Sequence, residues 1–158
     1  GEPQTLAEWN TDQNGVANQL LDLFAAIQAH KGNLRLSADY QMAYDVMDVT
    51  RNGTSRPLSQ WLLDTVDRGV ILADRNYAGG ADSIGEHAAA ASKDAGSICK
   101  QVTVGVETTC GLDPPKITFC GLGQGGLENA LNQVRDTFGN SRAFGGVAIH
   151  DYDAYRQL

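Results

Sequence analysis

Apolar positions along the chain alternate between two rhythms. Val16, Leu20, Leu23, Phe24 and Ile27 recur at helical spacing and predict an amphipathic helix over 12–30, capped by Thr11 or Asp12 and stopped by Gly32. A short run with strand character follows at 34–39. Residues 40–51 read as a loop with some helix, and Asn52-Gly53-Thr54 as a turn. Pro57 opens a helix over 58–67, since the first helical turn has spare N–H groups. An apolar strand ends at 70–74, an alanine-rich helix covers 81–95, and a strand covers 102–107. Residues 117–119 form a short extended piece, 127–138 a fourth helix, and 144–150 the last strand.

The resulting order is helix and strand in strict alternation over 1–158, which predicts one α/β domain with a parallel sheet and covering helices. The strands are short apolar runs instead of alternating ones, as expected when both faces of a sheet are buried.

Composition removes several classes of function. The net charge is −7, with no cluster of Lys or Arg, so neither nucleic acid nor an anionic membrane is an expected partner. No apolar run approaches the roughly 18 residues of a membrane span. Cys99, Cys110 and Cys120 lack CxxC spacing, and no metal site or cofactor is expected of them. Cys110 and Cys120 flank the loop Gly111–Pro115. A disulfide there in an oxidising compartment and three buried thiols are the alternatives.

Chemistry gathers where the strands end. The endings carry Asp39-Tyr40, Asp74-Arg75-Asn76-Tyr77, Glu107-Thr108 and His150-Asp151-Tyr152. Ligands of parallel α/β folds sit at such carboxyl ends, where loops rest on a rigid sheet. Singly, each residue has a plainer role open to it. Asp74 and Arg75 fit an ion pair, Asp39 a helix cap, Asp151 a solvated carboxylate, His150 a rim histidine. Together, paired carboxylates are the equipment of glycoside hydrolysis, one donating a proton and the other attacking the sugar or activating water. Trp9, Tyr40, Tyr77 and Tyr152 would suit sugar faces, or simple packing.

The segments Val104-Gly105-Val106-Glu107-Thr108 and Gly146-Val147-Ala148-Ile149-His150-Asp151-Tyr152-Asp153, with Ala73-Asp74-Arg75-Asn76-Tyr77, resemble the last strands of secreted (β/α)8 barrel proteins related to glycoside hydrolases. The resemblance spans nearly the whole chain. It implies a half or incomplete barrel, secretion, and a carbohydrate ligand. It also implies a second chain, or an N-terminal half, to complete the barrel. By this resemblance Glu107 is nucleophile or base and Asp39 or Asp74 the general acid. His150, Arg75, Tyr40, Tyr77, Tyr152 and Asp151 then bind substrate. Many such enzymes carry Glu where this chain has Asp39.

Two other classes compete. Gly121-Leu122-Gly123-Gln124-Gly125-Gly126 is a literal GxGxxG that follows the extended piece at 117–120 and opens a helix, with Asp151 ending the next strand, the context that a nucleotide or dinucleotide site demands. A non-catalytic structural or assembly protein would need neither motif.

Overall fold

The computed structural model describes residues 3–158. Helix α1 spans Gln13–His30, with the Asp12 carboxylate accepting from the Gly15 N–H as its N-cap. Strand β1 is Ser37–Gln41, later than expected, because Leu34-Arg35-Leu36 lies in the approach to the sheet, where only the Leu36 carbonyl reaches β4, accepting from the Arg68 N–H. Asp39 is therefore the middle residue of β1 and not its end.

Between β1 and the next helix the chain inserts an antiparallel hairpin, β2 (Asp48–Arg51) and β3 (Thr54–Pro57). Asn52 and Gly53 take φ of 52° and 78°, the left-handed pair that a tight two-residue hairpin turn requires. Helix α2 (Leu58–Thr65) starts directly from Pro57. Then follow β4 (Arg68–Leu72), α3 (Ile84–Ser97), β5 (Gln101–Glu107), α4 (Gly123–Phe138), β6 (Phe144–His150) and the short α5 (Tyr152–Tyr155). Residues 117–119 contribute no strand. Pro115–Ile117 is a turn of 3₁₀ helix.

β1, β4, β5 and β6 form a parallel four-stranded sheet in chain order, without the reversal that marks a doubly wound fold. One face is covered by helices. There Tyr40, Ile71, Val104 and Val106 pack with Leu62, Leu63, Ala88, Ala91 and Leu131. No side chain fits at Gly69, where a Cβ would stand 2.7 Å from Leu63 Cδ2 and 2.9 Å from Tyr40 Cε1. Along β1 and β4 the opposite positions, Asp39, Val70 and Leu72, are only partly covered or exposed. The expectation of two buried faces thus holds for β5, which is buried on both, and fails along β1 and β4.

Candidate functional site

β4, β5 and β6 end side by side, and their last residues meet. Glu107 is the final residue of β5, His150 the final residue of β6 and its register partner, and Asp74 lies two residues past β4. Glu107 is 8% exposed and fully engaged. Its Oε1 accepts from the backbone N–H groups of Thr108 at 2.7 Å and Thr109 at 2.6 Å. Its Oε2 lies 2.6 Å from His150 Nδ1. Burial alone would raise its pKa. The Thr109 N–H, His150 and the Thr108 N–H outweigh that and hold the carboxyl below the ordinary glutamate range. The same bond to Glu107 raises the pKa of His150, whose side chain is 69% exposed and leaves the rest of its ring accessible.

Asp74 stands in the opposite condition. Burial first, and then the neighbouring Glu107 charge, push its carboxyl up to about 6, with His150 and Arg75 pulling back. Two carboxyl groups on neighbouring strand ends are thereby split, one kept ionised and one kept protonated into the weakly acidic range.

The surrounding loops are fastened to each other. Asn76 donates from its backbone N–H to the Lys116 carbonyl and from Nδ2 to the carbonyls of Pro115 and Thr118. Asp82 takes Arg75 at 2.5 Å and Lys116 at 2.6 Å. The Cys110–Cys120 disulfide closes the loop after β5, while Cys99 is a free, exposed thiol. Thr118 Oγ1 donates to the Thr109 carbonyl at 2.8 Å, and Thr108 Oγ1 donates to the His150 carbonyl at 2.9 Å. A groove of about 470 Å³ is lined by Asp39, Leu72, Ala148 and His150 of the sheet and its strand ends, and by Leu20 and Phe24 of α1. That is within the range of small-ligand sites.

Several sequence expectations change here. Asp39 is in register with Val70, and Val70 with Thr103, so Glu107 lies four residues further along the sheet and two strands over. At about 3.3 Å per residue and 4.8 Å per strand, the Asp39 and Glu107 backbones are on the order of 15 Å apart. Asp39 therefore lines the groove without joining the strand-end cluster of Asp74, Glu107 and His150. Tyr40 is 1% exposed and points into the helix layer, so it cannot stack on a ligand. Trp9, at 8%, is likewise core. Asp151 is the N-cap of α5, accepting from the Ala154 N–H at 2.7 Å. The Arg75 guanidinium is held by Asp82 and by the Asp74 backbone carbonyl, not by the Asp74 carboxylate. Tyr77 is half-buried in the loop after β4, and Tyr152 is 70% exposed beside His150. Gly121–Gly126 opens α4, but the segment before it is not a strand, which removes the setting that its glycine spacing needs.

The sequence reading missed Thr109, Asp82 and Lys116, and placed Asn76 at a strand end without foreseeing its bonds to the Pro115–Thr118 segment. Small polar residues directly after a strand-end carboxylate were the available signal for the backbone clamp on Glu107. The other three act between loops distant in sequence. Among the described residues no group of three His, Cys, Asp or Glu side chains could hold a metal ion, and no helix is long and apolar enough to cross a membrane. No protein-family model matches the chain, and neither curated proteins nor solved structures yield a match.

Proposed function

We propose that the sheet is the carboxyl-terminal half of a (β/α)8 barrel and that Asp74 and Glu107 are the acid and the nucleophile or base of a glycoside hydrolase on its strand ends. The observation that carries the activity is the split between the two carboxyls. Hydrolysis of a glycosidic bond needs one carboxylic acid to protonate the leaving oxygen and one carboxylate to attack the sugar or activate water. Asp74 meets the first need because burial and Glu107 keep it protonated up to about pH 6. Glu107 meets the second because two backbone N–H groups and His150 favour its charge. His150, half in the cluster and half in solvent, positions substrate and tunes Glu107.

The half-barrel reading rests on strand order and on composition. Four parallel strands in chain order, with helices on one side, match half of a barrel wall. Val70, Leu72 and Gly105 occupy the uncovered face, where apolar strands suit a closed interior better than water. The remaining wall would come from a second chain or from further strands of the same chain.

The test is a glycan-hydrolysis screen with products resolved by mass, repeated with Glu107→Gln and Asp74→Asn. Each variant should lose at least about 100-fold in rate, the usual scale of a catalytic acid or base. Turnover should fall above about pH 6 as Asp74 ionises. A substrate cleaved equally well by Glu107→Gln would remove Glu107 from the chemistry. Cleavage with no loss above pH 6 would remove Asp74 as the acid.

A further inference from the structure

At the opposite end of the sheet lies a second groove, of about 530 Å³, where the strands begin. Its walls carry Lys31, Arg35, Arg68, Lys100 and Arg142, with Asp67 as the one carboxylate. A chain of net charge −7 with only 12 cations thus gathers five of them in one place.

The use of those cations separates them into two groups. Lys31 is bonded to Asp67 and to the Leu34 carbonyl, and Lys100 donates to the carbonyls of Leu63, Asp64 and Val66 at the end of α2. These two serve the fold. The arginines behave otherwise. Elsewhere Arg51, Arg56, Arg75, Arg135 and Arg156 each face a carboxylate. Among the described residues the three arginines without one are Arg35, Arg68 and Arg142, and all three line this groove. Arg68 reaches only the neutral Gln101 side chain, at 3.2 Å.

From this convergence we propose a binding site for a small ligand carrying two or more phosphate or sulfate groups, held by Arg35, Arg68 and Arg142. Unpaired guanidinium groups present forked N–H donors that match such oxyanions. Their placement sets the size of the ligand. Arg35 precedes β1, Arg68 opens β4 and Arg142 precedes β6, so their backbone positions are spread across the bases of four adjacent strands around one groove. At about 4.8 Å per strand this row is roughly 15 Å long, more than one phosphate can bridge. Lys100 adds positive charge to the groove although its donors are taken, while the charge of Lys31 is balanced by Asp67. The site is independent of the carboxylates at the other end of the sheet.

The probe is tripolyphosphate, titrated by calorimetry and by amide shifts at constant ionic strength, with inorganic phosphate beside it. We expect saturable tripolyphosphate binding, tighter than that of phosphate, with shifts at residues 33–35, 100–101 and 142 and none at 107–109. Arg35→Gln and Arg142→Gln alter exposed side chains with no partner, so both should fold, as a thermal melt would verify. Each should weaken binding about tenfold or more, the effect of one lost charge-assisted bond. Lys93→Gln, outside the groove, should leave binding unchanged. Absence of saturation, equal weakening by all three variants, or preference for a polyglutamate peptide over tripolyphosphate would overturn the proposal.

Discussion

Asp74 shows how one residue's surroundings decide its use. Its carboxyl is raised from 3.8 to about 6, so the folded protein binds that proton more tightly than the unfolded chain does. A raised carboxyl stabilises the fold below its ordinary pKa, and the contribution is lost as pH climbs through about 6. Asp74→Asn removes the charge that burial and Glu107 oppose. The variant should match the parent below pH 4 and exceed it at pH 7.5 by at most about 3 kcal/mol, at about 1.36 kcal/mol per pKa unit, and by less to the extent that solvent screens this partly exposed group. Urea unfolding at the two pH values checks this, and a variant less stable at pH 7.5 would contradict the environment assigned to Asp74. Glu107 and His150 were legible in sequence because a polar residue closing an apolar strand has few other reasons to be there. Asp39 misled for the same reason. Without the register of β1 against β4, a carboxylate mid-strand cannot be told from one at the end.

Among the elements, β5 and β6 could be bounded from sequence because unbroken apolar runs with glycine give a strong local signal. The β2–β3 hairpin could not, although Asn52-Gly53 is a good turn pair. Its flanks, Asp48–Arg51 and Thr54–Pro57, are polar and lie off the main sheet. α4 begins at Gly123, ahead of its apolar stripe, since its first turn holds three glycines that periodicity cannot register. The loop between β5 and α4 owes its shape to the Cys110–Cys120 bond across a separation of 10 residues. Closing such a loop stabilises the fold by about 3 kcal/mol in the chain-entropy account. A Cys110→Ser, Cys120→Ser double variant should lose about that much in denaturant unfolding. An unchanged midpoint would mean that the Asn76 and Thr118 bonds alone hold the loop.

Charge divides the two ends of the sheet, cations at the strand starts and carboxylates at the strand ends. The strand ends carry Asp74, Glu107 and His150, the strand starts carry unpaired arginines, and between them one face of the sheet is open along β1 and β4. Alternation of helix and strand was enough to read an α/β architecture from sequence. Whether the second sheet face is covered depends on atoms far apart in the chain, which periodicity does not report. The central claim, a catalytic strand-end site on half of a barrel wall, is tested most directly by native mass spectrometry of the protein isolated from its source. The account predicts that the 16.9 kDa unit occurs joined to a second set of four strands, either as a tight complex or within a longer chain. A lone 16.9 kDa monomer, stable across micromolar concentrations, would contradict it.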